Sequence, residues 1–128
     1  MRFSAHRVEK LEGECELWRE IGAKDNPSFT NSWVNFGGSD AVAAFYKDKF
    51  NRVWLKGSIK SGTVDPVDPY SPAFTLPSGY RPSERVFYSS VDGTGTPSAK
   101  TMIDTTGDVN ILAGTNTVIT LDGISWRV

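Results

Sequence analysis

The sequence predicts an all-β domain, a sandwich or a barrel built from short antiparallel strands. From residue 26 onward, short apolar and aromatic runs recur at a spacing of about 8 to 12 residues, separated by Gly, Asp and Pro. The 12 Gly and 7 Pro residues supply many turn positions. One run, residues 52–60, alternates between apolar and polar side chains, which is the pattern of a half-buried strand.

The first 25 residues differ from the rest of the chain. Apolar side chains there follow the 3-4-3 spacing of coiled-coil a and d positions: Val8, Leu11, Cys15 and Trp18. This spacing is compatible with a short amphipathic helix packed on its own domain, or with the end of a self-associating stalk. We therefore predict a stalk or linker over residues 1–25 and a β-domain over residues 26–128.

The predicted strands begin with residues 33–36, which lie between Pro27 and the Gly37-Gly38 pair. Residues 43–48 and 52–60 are predicted to form a hairpin around a polar turn. Within residues 52–60, one face is predicted to carry Val53, Leu55, Gly57 and Ile59. The other face is predicted to carry Trp54, Lys56, Ser58 and Lys60.

Residues 61–72 contain three prolines and are predicted to form a loop, because proline does not fit a central strand. The turn at residues 77–82 contains Tyr80 and is predicted to be a structural corner. Further strands are predicted at residues 73–76, 86–88, 100–104, 109–112, 117–121 and 124–128.

Composition excludes several classes of function. The 14 Lys and Arg against 15 Asp and Glu give a net charge of −1, which argues against a nucleic-acid-binding domain. No apolar run reaches the ~18 residues of a membrane span, so we expect no membrane insertion. A single Cys and a single His provide neither a zinc ligand set nor a Ser-His-Asp triad. We therefore expect no metal, no cofactor and no enzymatic activity.

Two places could bind a saccharide. The loop at residues 65–70 places Asp65, Asp68 and Tyr70 on a proline-stiffened backbone, and carboxylates with an aromatic ring suit sugar hydroxyls and sugar faces. A solvated loop without function is the alternative. Trp54 and Tyr46 are the other candidates, because an exposed aromatic ring can stack on a sugar or pack against a neighbouring subunit.

Four motifs from residue 27 onward occur in the order found in a known family. They are PSFTNSWVNFG at 27–37, AFYKDKFNRVWLKG at 44–57, FTLPSGYRP at 74–82 and LDGISW at 121–126. This part of the chain resembles the C-terminal tip domains of bacteriophage and prophage tail fibres. Asn51 stands where the family usually has Gly, and Trp126 where it usually has Phe.

The resemblance implies a jelly-roll-like β-sandwich that forms a homotrimer at the distal end of a tail fibre or baseplate. Its implied role is adhesion to a bacterial cell-surface saccharide, in a virion protein that is made in the host cytoplasm and acts outside the cell. The trimer would favour the stalk interpretation of residues 8–18. A purely structural cap of the fibre is the alternative, and a glycan-degrading tail enzyme is a weaker one.

Overall fold

A computed structural model describes residues 16–90 and 99–128. Every helix or strand element in these two ranges is a β-strand. The strands are β1 Arg19–Glu20, β2 Val34–Asn35, β3 Ala44–Lys47, β4 Arg52–Lys56, β5 Ser58–Lys60, β6 Pro72–Thr75, β7 Val86–Ser90, β8 Ala99–Ile103, β9 Asp108–Ala113, β10 Ile119–Thr120 and β11 Ser125–Arg127. The all-β prediction is therefore confirmed for the part of the chain that the structure describes.

The strands form three antiparallel sheets. The first sheet has the order β1-β3-β4-β11, the second β10-β5-β2 and the third β6-β9-β8-β7. One apolar core joins them, with Phe45 from the first sheet, Ile59 from the second and Ile111 from the third, each at most 1% exposed. This arrangement of packed antiparallel sheets is consistent with a β-sandwich.

The predicted hairpin is confirmed. Strands β3 and β4 pair antiparallel, and Asn51 in the turn has a φ of 64°, which Asn tolerates better than most residues. Val53, Leu55 and Ile59 are buried, as the alternation predicted.

The prediction of one continuous strand over residues 52–60 is wrong, because the chain breaks at Gly57. Strand β4 belongs to the first sheet and β5 to the second. Gly57 has a φ of 111°, and this left-handed conformation interrupts the alternation, so Ser58 is buried instead of lying on the polar face. A Cβ atom at residue 57 would lie 2.5 Å from the carbonyl oxygen of Val42.

The β-structure begins inside the segment for which a helix or stalk was predicted. Arg19 and Glu20 form β1, which pairs with β3, and Ile21 is buried in the core. The candidate stalk residues Val8, Leu11 and Cys15 lie outside the described residues, whereas Trp18 directly precedes β1. Within residues 16–90 and 99–128, no helix has the length and apolar character needed to cross a bilayer.

We expect Gly57→Ala to destabilise the protein by more than about 3 kcal/mol, since it adds a backbone clash to an unfavourable φ. Gly37→Ala is the matched control, because Gly37 has a φ of 89° but a Cβ there would meet nothing within 4 Å. Gly37→Ala should lower the free energy of unfolding by about 1 to 2 kcal/mol. Urea unfolding measures the loss of stability in each variant. Equal losses in Gly57→Ala and Gly37→Ala would show that the close backbone approach at Gly57 adds no cost.

Candidate functional site

A groove of about 340 Å³ lies on the solvent-facing side of the first sheet. Its lining residues are Trp18, Tyr46, Trp54, Leu55, Lys56 and Gly123, and we call it the aromatic groove. Tyr46 and Trp54 are direct cross-strand partners in the β3–β4 pair, so their side chains share one face of the sheet. Because Val53 and Leu55 fill the opposite, core-facing side, the alternation of β4 presents Trp54 and Lys56 to solvent.

Trp18 forms one wall of the groove. Its ring meets that of Tyr46 edge to face, with 4.6 Å between the centroids. The Lys56 ammonium lies 4.7 Å from the centroid of the Trp18 ring, in cation–π contact. Trp18 remains 41% exposed, so a large aromatic surface is held in place and is still open to solvent.

Trp54 is fixed by a hydrogen bond to the hairpin turn. Its indole Nε1 donates to Asp48 Oδ2 at 3.0 Å, and Asp48 Oδ1 accepts from the backbone N–H groups of Phe50 and Arg52. The Trp54 bond lowers the pKa of the Asp48 carboxyl, with smaller lowering by the two backbone donors and the Arg52 charge, against a rise from desolvation. The turn thus orients the indole ring.

Tyr80 anchors the chain on both sides of Trp18. The Tyr80 hydroxyl donates to Glu16 Oε2 at 2.6 Å and accepts from Arg19 Nη1 at 3.0 Å. Its ring is buried and packs edge to face on Phe45, 5.1 Å between centroids. Tyr80 is therefore the structural corner that the sequence predicted, and it also positions the Trp18 wall.

The turn before β11 forms the end of the groove at Gly123. Asp122 Oδ1 accepts from the Gly57 backbone N–H at 2.8 Å, and the Leu55 N–H donates to the Ile124 carbonyl at 2.8 Å. These bonds hold the turn against the point where β4 ends. A Cβ at residue 123 would meet nothing within 4 Å, so this end of the groove is open.

Of the residues predicted to bind a saccharide, Trp54 and Tyr46 line the aromatic groove. Asp65, Asp68 and Tyr70 lie in the loop that connects the second and third sheets, and none of them lines this groove. The Asp65 carboxylate accepts hydrogen bonds within that loop, from the Val67 N–H at 3.2 Å and the Ser71 hydroxyl at 3.1 Å. The structure therefore does not bring these loop residues together with Trp54.

Sequence reasoning assigned Trp18 to a stalk and did not single out Lys56 or Asp48 as site residues. The signal for Lys56 was its alternation with Trp54 on the polar face of one strand. No local sequence pattern indicates that Trp18 lies in this groove, because its contact with Tyr46 depends on the pairing of β1 with β3.

Apart from Lys56, the residues that line the groove are aromatic or apolar. Asp48, which holds Trp54 from the hairpin turn, has a lowered pKa. In the ranges 16–90 and 99–128, no three His, Cys, Asp or Glu side chains cluster in a way that could hold a metal ion.

Comparison with protein family models, with curated proteins and with solved structures finds no match for this chain. A functional assignment therefore depends on the geometry of the groove and on the sequence motifs.

We expect Tyr80 to ionise at unusually high pH. Burial raises its pKa to about 12, together with the hydrogen bond to Glu16 and the Glu16 charge, while the Arg19 charge opposes the rise. A raised pKa means that the neutral phenol stabilises the fold fully below pH ~10, and that this contribution is lost as the pH rises towards about 12.

Tyrosinate absorbance at 295 nm, followed from pH 8 to 13, tests this assignment. Tyr80→Phe should remove the highest-pH step, and Glu16→Gln should move that step to lower pH. Tyr46→Phe is the control and should leave it in place. A highest step that survives Tyr80→Phe would contradict the assignment.

We expect Trp54→Phe to raise the pKa of Asp48 towards its ordinary value, because the indole donor is lost. In the native protein, the lowered pKa stabilises the fold above pH ~4, and this contribution disappears as the pH falls through the folded-state pKa. Carbon-13 NMR of the Asp48 carboxyl group measures the change. Trp18→Phe should not move this pKa, and an unchanged value in Trp54→Phe would show that the indole does not hold the carboxylate.

Proposed function

We propose that this chain is the receptor-binding tip of a bacteriophage or prophage tail fibre, and that its aromatic groove binds a bacterial cell-surface saccharide. The observation that carries the proposal is the set of three partly exposed aromatic rings that line one open groove. The tip is jelly-roll-like, assembles as a homotrimer and acts outside the cell as part of the virion, attached to the rest of the fibre or baseplate.

The chemistry of the groove suits a sugar ring. Trp18, Tyr46 and Trp54 offer apolar ring faces for the C–H surface of a saccharide, while Lys56 stands beside them as a hydrogen-bond donor for hydroxyl groups. Both indoles are held in place before any ligand arrives, Trp54 by Asp48 and Trp18 by Tyr46 and Lys56. Pre-organised rings lose little conformational entropy on binding.

The family resemblance agrees with this placement. Tyr46, Asp48, Trp54 and Lys56 lie in the motif at residues 44–57, and Gly123 lies in the motif at 121–126. The FTLPSGYRP motif contributes Tyr80, which anchors the segment on either side of Trp18. Three of the four motifs thus build or support one groove.

Adhesion fits this site better than catalysis. The groove is shallow and open, and the described residues that line it include no carboxylate. A single shallow site binds weakly, and three copies on one fibre would raise the strength of attachment through multivalency. A glycan-degrading activity has no candidate acid in the groove.

A structural cap of the fibre is the second candidate, and exposed apolar side chains favour it. Leu17 is 86% exposed directly beside Trp18, which would suit contact with a second subunit. In that case the aromatic groove would be an interface, and the trimer would form without binding any saccharide.

The four tryptophans provide an internal test, read from their indole N–H signals in ¹⁵N–¹H NMR spectra. Glucose, galactose, rhamnose, N-acetylglucosamine and their short oligomers serve as probes. We expect at least one of them to shift the signals of Trp18 and Trp54. The buried indoles of Trp33 and Trp126, 1% and 3% exposed, should not move.

Substitutions refine the test. Trp54→Ala and Tyr46→Ala should each weaken binding at least about tenfold, or about 1.4 kcal/mol. Phe87→Ala is the matched control, because Phe87 is also exposed and also contacts a lysine, Lys100, on the third sheet. Absence of any indole shift with the whole panel, or equal loss in Phe87→Ala, would overturn the proposal.

A further inference from the structure

A second cavity lies beside the aromatic groove, at the β11 edge of the first sheet. It has a volume of about 280 Å³, and we call it the arginine cleft. Its polar lining comprises Arg52, Arg127, Ser125, Tyr88, Ser83 and Glu84.

The two arginines of the cleft stand directly opposite each other. Arg52 on β4 and Arg127 on β11 are cross-strand partners, so both side chains project from the same face of the sheet. Like charges in this position destabilise a sheet. Among the described residues, the salt bridge present joins Arg85 and Asp104, and neither Arg52 nor Arg127 takes part in one. The pair therefore concentrates positive charge without an ion-pair partner in the described chain.

Neighbouring groups hold Arg52 in place without forming a salt bridge to it. Arg52 Nη1 donates to the Ser125 hydroxyl at 2.8 Å, which leaves other guanidinium N–H groups available. The Asp48 carboxylate attracts Arg52, but its oxygens already accept from Trp54 and the turn backbone. Glu84 is the acidic group that lines the cleft itself, and it is exposed.

Tyr88 closes the far side of the cleft. Its hydroxyl donates to the Ser125 carbonyl oxygen and accepts from the Ser125 backbone N–H at 3.3 Å. The third sheet thereby covers the free edge of β11 at this point, and gives the cleft a rigid wall.

The cleft and the aromatic groove are lined by neighbouring residues of the first sheet. The guanidinium carbon of Arg52 lies 6.0 Å from the Trp54 ring, and Trp54 is the cross-strand partner of Ser125. Trp54 thus lines the groove while Arg52 and Ser125, its neighbours on the same face, line the cleft. A ring stacked on Trp54 would place a substituent within reach of Arg52.

We infer that the arginine cleft is an anion subsite, and that the saccharide bound in the aromatic groove is acidic, with a carboxylate or phosphate group that pairs with Arg52 and Arg127. Guanidinium groups recognise both anions through paired N–H donors. The saccharide part of this inference rests on the proposed function, whereas the anion subsite depends on the arginine pair alone.

Three sugars that differ only at carbon 6 test whether the site prefers an acidic saccharide over a neutral one. Methyl glucoside, methyl glucuronide and methyl glucoside 6-phosphate carry a hydroxyl, a carboxylate and a phosphate at the same position, and the galactose series serves equally. At 20 mM salt we expect at least one acidic member to bind about tenfold more tightly than its neutral counterpart. The stronger of the two acids identifies the anion.

Variants and added salt distinguish anion binding by the arginine pair from non-specific electrostatic attraction of an anion to the protein. Arg127→Gln should abolish the preference for the acidic sugar. Lys100→Gln removes a cation that contacts Phe87 and does not line the cleft, and it should leave the preference intact. Glu84→Gln should strengthen acidic-sugar binding, because it removes the opposing charge of the cleft. Added salt at 0.5 M should reduce the preference by screening.

Inorganic phosphate tests the subsite without any sugar. In the native protein, phosphate should shift the side-chain Nε–H NMR signals of both Arg52 and Arg127. In the Arg127→Gln variant, phosphate should no longer shift the Arg52 signal. Neutral sugars that bind as well as acidic ones would overturn the inference and leave the proposed function intact. Failure of every sugar, with phosphate shifts present, would overturn the saccharide site and retain the anion subsite. No phosphate shift at either arginine would overturn the subsite itself.

Discussion

The structure depends on one backbone constraint, the left-handed glycine at residue 57. At this residue the chain leaves the first sheet and enters the second, and the backbone of Val42 and Ala43 approaches so closely that no side chain fits. The Gly57 N–H donates to the Asp122 carboxylate and its carbonyl accepts from the Leu121 N–H at 2.7 Å. The same residue therefore joins two sheets and fixes the turn that ends the aromatic groove.

A second anchor lies on the opposite side of the groove. Tyr80 is 61 residues from Arg19 in sequence, yet its hydroxyl links Arg19 and Glu16 across the residues between them. Lys47 adds to this corner by donating to the Gly79 carbonyl at 2.9 Å and contacting the Tyr80 ring. Gly57 and Tyr80 together hold the two ends of a site whose aromatic rings are otherwise surface features.

The local pattern of the chain was sufficient to predict most of the strands, whereas β1 and the break between β4 and β5 depend on tertiary contacts. Period-2 alternation placed Val53 and Leu55 inside and Trp54 outside, because a half-buried strand leaves that pattern in any sequence. It could not reveal the break at Gly57, which is imposed by backbone from another part of the chain. The contact of Trp18 with Tyr46 was not predictable for the same reason, since heptad-like spacing is a local signal and this contact joins residues that are far apart in sequence.

Whether the aromatic groove stays open to solvent when chains associate distinguishes a saccharide site from a subunit interface. The most direct measurement is the rate at which N-bromosuccinimide oxidises Trp18, read by peptide mass spectrometry at concentrations where light scattering reports the assembled mass. We expect rapid oxidation of Trp18 at these concentrations, and slower oxidation when the saccharide that shifts its indole signal is present. Protection of Trp18 by assembly alone, with oxidation restored on dilution, would show that the groove is a subunit interface and not a saccharide site.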